Sequence, residues 1–292
     1  MTSSQLHDAK VAEVGGVAVR RALPRRGLRT VGAWCFVDHM GPEVVTETKG
    51  LDVGPHPHIG LQTVTWLVEG AVLHRDSLGS EQLIRPGQLN LMTAGRGIVH
   101  AEEASRAPGT LHGVQLWIAQ PEATRDGGSA FAHHGELPRV DLGHGVATVL
   151  VGAFADATSD AKVDTPLMGV DAALGRGTST WQVRPDFEYA VYVLEGGIVM
   201  RDHVTVTEGQ LLALGSGHDA LTVHVPERAR VLLLGGEPLR EPLHMWWNFV
   251  GRSRADIIDA QREWGRYITD GESDRFTRVD SPLAAIPAPA LP

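Results

Sequence analysis

The chain has 292 residues, of which 42% are hydrophobic and 21% charged, and this balance excludes an intrinsically disordered protein. With 26 Lys and Arg residues against 35 Asp and Glu residues, the formal net charge is −9, which argues against direct binding to nucleic acid. The sequence shows neither an apolar run long enough to span a membrane nor the apolar core of a signal peptide, and the single Cys35 excludes an intramolecular disulfide. We therefore expect a cytoplasmic protein that is not attached to a membrane.

Short strand patterns separated by glycine and proline dominate the sequence. In chain order, the predicted strands cover residues 62–67, 89–92, 114–118, 147–151, 189–194, 210–214, 221–224 and 230–234. Many short strands with frequent turns favour a sandwich or a barrel, so the predicted fold class is all-β. A helical pattern follows at residues 254–267, where Ile257, Trp264 and Ile268 approximate one face. The tail SPLAAIPAPALP is expected to lie extended on a surface or to fray.

The order of motifs in the first half returns in the second half. VTWLVEGAV (64–72) and PGQLNLMTAG (86–95) correspond to AVYVLEGGI (190–198) and EGQLLALGSG (208–217), at an offset of 122–126 residues. This repeat predicts two similar antiparallel β-barrels in tandem, joined by a loop around residues 125–145. The predicted domains are residues 1–135 and residues 136–292, and the second includes the C-terminal helix and tail.

Two pairs of residues in the first repeat have the spacing of metal ligands. His56 and His58 lie two apart in GPHPHIGLQ, and His100 and Glu102 lie two apart in GRGIVHAEE. In extended chain, residues two apart project to the same side, so both pairs can point into one volume if a barrel brings the segments together. Three imidazoles and one carboxylate suit a divalent first-row metal, with Fe, Mn, Ni, Cu and Zn all compatible.

The second repeat lacks these ligands. Alignment of the two halves puts Gln182 and Arg184 opposite the first pair, and Thr222 and His224 opposite the second pair. We therefore expect metal binding in the first half only. The remaining histidines, including His74, show no ligand spacing and are expected to be structural or exposed; His39, in VDHMGP, is the one for which a contact near the metal is considered.

These motifs together resemble the pirin family of the cupin superfamily. The resemblance rests on VDHMGP, on HPH (56–58) and above all on MTAGRGIVHAE (92–102), and it is most specific over residues 20–118. It implies two jelly-roll-like cupin barrels, a C-terminal helix that packs back against them, and one iron site, Fe(II) or Fe(III), in the first barrel. The implied ligands are the four residues found from spacing. Ile59 and Gln62 depart from the family pattern, and Gln62 is expected near the metal.

Three functions compete, and the resemblance implies the first two. Some pirins cleave flavonols such as quercetin with O₂, and in such a dioxygenase Glu102 would be a metal ligand and a catalytic proton acceptor for a small aromatic substrate. Other pirins act as regulators whose contact with a partner protein follows the oxidation state of iron. In a third alternative, the metal only stabilises a structural bicupin.

Overall fold

The computed structural model describes residues 4–201 and 203–291, which fold mainly into β-strands. The strands that precede residue 120 are β1 (Gln5–Asp8), β2 (Lys10–Val14), β3 (Val17–Leu23), β4 (Trp34–Val45), β5 (Val53–His58), β6 (Leu61–Glu69), β7 (Val72–Asp76), β8 (Glu81–Ile84), β9 (Leu89–Thr93), β10 (Ile98–Ala104) and β11 (Gly109–Ala119). The elements that follow are β12 (Ala130–His134), β13 (Arg139–Asp141), β14 (Gly145–Val151), β15 (Ala153–Phe154), β16 (Ala157–Thr158), β17 (Leu167–Gln182), β18 (Glu188–Met200), β19 (Thr205–Thr207), β20 (Gln210–Gly215), β21 (Ala220–Gly236), β22 (His244–Trp246), β23 (Phe249–Gly251) and the helix α1 (Arg254–Asp270).

The described residues divide into two units, each built from several chain segments. Unit 1 consists of the segments Met1–Val11, Arg20–His39 and Glu136–Leu239, and unit 2 consists of Ala12–Val19, Met40–Gly135 and Arg240–Pro292. The predicted domain boundary at 135/136 coincides with one junction between the units. The N-terminal segments and the chain from residue 240 onwards, which includes α1, group differently from the predicted domains.

Unit 2 contains the four-stranded sheet β5-β10-β7-β8 and most of the seven-stranded sheet β12-β9-β6-β11-β4-β3-β2. Residues of β2, β3 and β4 belong to both units. Side chains of unit 2 form an apolar cluster, and each buried Val or Leu contributes about 1.5–3 kcal/mol. The cluster includes Val17, Val19, Met40, Leu51, Val53, Leu67, Val72, Ile84 and Leu111.

Unit 1 is built on the sheet β1-β20-β18-β21-β17-β14-β13, with β19 paired to β18. Its strand pairs are antiparallel, and the longest run of paired residues joins β17 to β21. The apolar cluster of this unit includes Met168, Val170, Trp181, Phe187, Tyr189, Val191, Leu212 and Val231. In the described part of the chain, the sheets of both units have open edges, so the expected barrels are jelly-roll-like sheets that do not close.

The predicted repeat is confirmed at the level of strand pairing. In unit 2, β6 lies between β9 and β11, and in unit 1, β18 lies between β20 and β21. Gly70 and Gly196, at matching positions of the repeat, have φ values of 86° and 72°, which glycine adopts without strain. A Cβ at Gly70 would lie 2.5 Å from the Thr110 carbonyl oxygen. The glycine of the EG motif therefore lets the neighbouring backbone pass close to it. The all-β fold class is confirmed, and the predicted strands 221–224 and 230–234 form the single strand β21.

The predicted helix is confirmed and ends three residues later than expected, at Asp270. Ser253 caps its N-terminus in a reciprocal capping box with Asp256, and Gly271 ends it in the left-handed conformation. Its buried face includes Ile257 and Trp264, as predicted, whereas Ile268 is 40% exposed. No helix in the described ranges is long and apolar enough to cross a membrane.

Candidate metal centre

Two adjacent antiparallel strands bring the predicted histidines together. His56 and His58 lie on β5, and His100 lies on β10, where it is in register with His56. Since alternate residues of a strand share a face, the two side chains of β5 and the one of β10 project to the same side. The three imidazoles are buried, with exposed fractions of 6%, 1% and 1% in chain order.

The nitrogen atoms of these three rings form a compact donor set. One nitrogen from each ring lies within 4.8 Å of the others, and the Nε2 atoms of His58 and His100 are 3.0 Å apart. Two ligands at right angles, each with a bond of about 2.1 Å to the same ion, have donor atoms about 3.0 Å apart. The spacing of the imidazoles therefore fits a single first-row metal ion. This is the one such group of three or more ligand side chains among the described residues.

Backbone carbonyls orient two of the three rings. Nδ1 of His56 donates to the Gly54 carbonyl oxygen at 2.8 Å, and Nδ1 of His58 donates to the Asn248 carbonyl oxygen at 3.0 Å. A proton held on Nδ1 leaves Nε2 as the metal-binding nitrogen, which is the usual arrangement around metal-bound histidines. Nδ1 of His100 is buried and has no hydrogen-bond partner among the described residues.

Burial keeps the three imidazoles neutral. Desolvation lowers the pKa of His56 to about 4, against a weaker opposing effect of the hydrogen bond to Gly54. Desolvation also lowers the pKa values of His58 and His100 well below the ordinary value, and the neighbouring imidazoles lower them further. Neutral imidazole is the form that binds a metal, so the three rings can accept a cation at neutral pH without first losing protons.

Glu102 is buried close to the histidines but outside the three-histidine group. The register of β10 on β5 shifts between His100 and Glu102, and this irregularity puts Glu102 opposite Val53 on β5 and opposite His74 on β7. Burial alone raises the pKa of Glu102 to about 7, and the carboxyl group has no hydrogen bond or ion pair among the described residues. A buried carboxyl group without a cationic partner is costly, and a metal ion at the histidines would supply the missing charge. Its role as a fourth ligand stays a prediction.

A second buried pair, His74 and Asp76, lies beside the histidines and was not predicted from the sequence. His74 on β7 was expected to be merely structural, but its Nε2 lies 3.0 Å from Oδ2 of Asp76, and its ring centroid is 5.3 Å from that of His100. Phe131 on β12 stacks on His74, with centroids 4.4 Å apart and planes 15° apart. The signal was present in the sequence, because His74 and Asp76 have the same two-residue spacing as the ligand pairs.

The two departures from the family pattern lie outside the three-histidine group. Ile59 is buried in the apolar cluster that includes Phe249 and Trp264. Gln62 donates to Oγ1 of Thr93, and the register of β6 with β11 puts it on the opposite face from Trp117, whose ring contacts His58. The expectation that Gln62 lies near the metal stays a prediction.

The counterparts in the second repeat lie on the outside of unit 1. Arg184 is exposed and pairs with Asp186, and His224 is exposed and forms a hydrogen bond with Thr178. The interior of this unit carries the apolar cluster described above. His39 is also in unit 1, where Nδ1 lies 3.1 Å from the Tyr192 hydroxyl, so it is not one of the three clustered histidines.

Comparison with known proteins gives a consistent result over the full length of the chain. The family model described as Pirin matches residues 16–118, and the model described as Pirin C-terminal cupin domain matches residues 169–268. A protein of Pseudomonas aeruginosa, provisionally named as a quercetin 2,3-dioxygenase, is 48% identical over 277 residues, which cover 94% of this chain and 85% of that protein. A pirin-like protein of Caulobacter vibrioides is 37% identical over 265 residues, covering 88% and 91% of the two chains. The crystal structure of a quercetin 2,3-dioxygenase from Acinetobacter baumannii superposes with a TM-score of 0.94 at 43% identity, covering 99% of this chain and 96% of that chain.

Proposed function

Because the chain belongs to the pirin family, we propose that it is a mononuclear iron protein that cleaves flavonol-type aromatic substrates with O₂. The observation that best supports this proposal is the buried group of three neutral imidazoles contributed by β5 and β10. Similar proteins that carry the name quercetin 2,3-dioxygenase support the substrate class.

In this proposal, His56, His58 and His100 hold the iron ion through Nε2, and Glu102 supplies a carboxylate oxygen as the fourth ligand. When bound, the iron acts as a Lewis acid towards an aromatic hydroxyl and as a conduit for electrons to O₂. In this proposal Glu102 also accepts the proton that the substrate hydroxyl releases. Mn, Ni, Cu and Zn suit the same donor set, so the metal must be identified by analysis.

The pair formed by His74 and Phe131 suggests where a flat substrate is oriented. The two rings are stacked, and the ring centroid of His74 lies 5.3 Å from that of His100, a proposed metal ligand. Aromatic side chains contact flat rings by stacking or edge-to-face packing. We assign Phe131 and Trp117, which adjoins His58, to the walls that hold the aromatic substrate against the metal.

Metal analysis and a turnover assay test the proposal together. Purified wild-type protein, His56→Ala and Glu102→Ala are loaded with iron, desalted and analysed for bound metal, and each is then mixed with quercetin under air. We expect one iron per wild-type chain and faster quercetin consumption than with free iron, and loss of both properties in the two variants. The matched control is His224→Ala, which removes an exposed histidine of unit 1 and should change neither property.

Two outcomes would reject the proposal. Full iron content in both variants would show that the ligand assignment is wrong. Stoichiometric iron without quercetin consumption above the free-iron control would remove the dioxygenase function and leave the metal site intact. The redox-dependent regulator then becomes the leading alternative, and capture of the same protein partners by the oxidised and the reduced forms would count against it.

A further inference from the structure

We propose that the C-terminal tail after α1 is a positioning element of the metal centre, because Ile286 holds the backbone segment that orients His56. This inference rests on the proposed function, since it concerns the same site. The relevant contacts lie within unit 2, where the tail runs beside β5.

The backbone of Ile286 connects the helix to the strand that carries the histidines. Its N–H donates to the carbonyl oxygen of Pro55 at 2.9 Å, and its own carbonyl oxygen accepts a hydrogen bond of 2.9 Å from Nε1 of Trp264. β5 is the edge strand of its sheet and pairs with β10 on its other side. The tail therefore supplies a backbone donor to an edge that the sheet itself leaves open.

The tail also presses against the residue that fixes the His56 ring. Gly54, whose carbonyl oxygen accepts the hydrogen bond from Nδ1 of His56, packs directly against Ala284. A Cβ at position 54 would lie 2.1 Å from the Ala284 carbonyl oxygen, so only glycine permits this approach. The two residues that immediately precede His56 are thus both held by the tail.

The tail is itself anchored. Trp264 and Phe276 are almost completely buried and meet edge to face, with centroids 5.6 Å apart, and Phe276 also stacks on Phe249. Ala288 and Leu291 pack on the same apolar cluster. Of the two expectations for the tail, residues 281–291 agree with the first, because they pack on a surface of unit 2, and residue 292 lies outside the described residues. An anchored tail can restrain Gly54 and Pro55, and a restrained carbonyl at Gly54 keeps the His56 proton on Nδ1.

Two substitutions of Ile286 distinguish the effect of its backbone hydrogen bond to Pro55 from the effect of its side chain. Ile286→Pro removes the N–H that reaches Pro55, whereas the matched control Ile286→Val keeps it together with a β-branched side chain. We measure the affinity of the metal-free proteins for cobalt(II) by titration calorimetry, the visible spectrum of the cobalt complex, and the unfolding midpoint without metal. We expect Ile286→Pro to bind cobalt(II) about tenfold more weakly, at the lower end of the effect of losing an outer-shell partner, with an altered spectrum. Ile286→Val should match the wild type.

Trp264→Phe provides a second route if Ile286→Pro does not fold. It removes the donor to the Ile286 carbonyl and keeps an aromatic ring in the cluster, and it should weaken cobalt(II) binding in the same direction. The inference is overturned if Ile286→Pro and Ile286→Val bind cobalt(II) with the same affinity and spectrum, even if Ile286→Pro is less stable. If Ile286→Pro is unfolded, the same affinity and spectrum in Trp264→Phe and the wild type overturn it. A wild-type protein that binds no cobalt(II) refutes the proposed metal site and this inference with it.

Discussion

Glu102→Gln tests how much the ionised carboxyl group of Glu102 destabilises the folded protein in the absence of metal. Burial raises the pKa of Glu102 from its ordinary value of 4.5 to about 7 in the metal-free fold. An acid whose pKa is raised by folding destabilises the folded state when it is ionised. The loss of folding stability caused by ionised Glu102 is therefore absent below pH 4.5, grows as the pH rises, and is complete above pH 7.

The magnitude follows from the gap between the two pKa values. Each pKa unit corresponds to about 1.4 kcal/mol, so the ionised carboxylate costs the metal-free protein about 3 kcal/mol above pH 7. Glutamine has a similar shape and no charge. We expect Glu102→Gln to be more stable than the wild type by as much as about 3 kcal/mol at pH 8, and by less than about 1 kcal/mol at pH 5.

Urea unfolding in the presence of a chelator, at pH 5 and pH 8, measures both differences. The control is Glu103→Gln, because Glu103 is the next residue on β10 and pairs with Arg75 at 3.5 Å. Loss of this ion pair should not stabilise the protein at either pH. Saturating metal should reverse the order of wild type and Glu102→Gln, because the metal stabilises the form that binds it more tightly. A Glu102→Gln variant that is no more stable than the wild type at pH 8 without metal would refute the reasoning.

Three further predictions concern stability away from the metal. Arg230→Ala should destabilise the protein by about 3 kcal/mol in urea unfolding, because it leaves the buried carboxylate of Asp171 without its guanidinium partner, and an unchanged midpoint would contradict this. Ser253→Ala should cost about 1 kcal/mol, since it removes the N-cap of α1. Burial raises the pKa of Asp256 in the same capping box, but hydrogen bonds from Arg252 and Ser253 outweigh it and lower the pKa overall. Its contribution is therefore present above pH 3.8 and lost as the pH falls through the lowered value, which acid titration of wild type and Asp256→Asn would show.

The sequence was sufficient for the parts of the site that depend on local spacing. The two-residue period placed His56, His58 and His100 on one side of adjacent strands, and the structure brings these three together. The same period predicted Glu102 as a fourth ligand, and this role stays a prediction. The spacing did not predict that the register of β10 on β5 shifts between His100 and Glu102. Such an irregularity depends on pairing with a distant strand, so the spacing of residues along β10 could not reveal it.

Long-range partners of the site also escaped the sequence analysis. The groups that orient His56 and His58 are the backbone carbonyls of Gly54 and Asn248. Because every residue has a backbone carbonyl, the sequence does not show which carbonyls accept these hydrogen bonds. The repeat predicted the central strands of both halves, because each contains its own turn glycines. It did not predict that β1 would pair with β20. β1 is a short, mostly exposed strand, and its pairing with a strand far along the chain is not marked by any sequence motif.

The hydrogen bond from His58 to Asn248 has a consequence for how the protein is made. Its two residues lie 190 positions apart, so a ribosome must add most of the polypeptide after His58 before the acceptor exists. A nascent chain that has emerged only through His100 already carries all three imidazoles. It still lacks Asn248, whose carbonyl oxygen holds the proton of His58 on Nδ1. Under the proposed function, the complete set of oriented imidazoles would therefore be available to a metal only late in translation or after release of the chain.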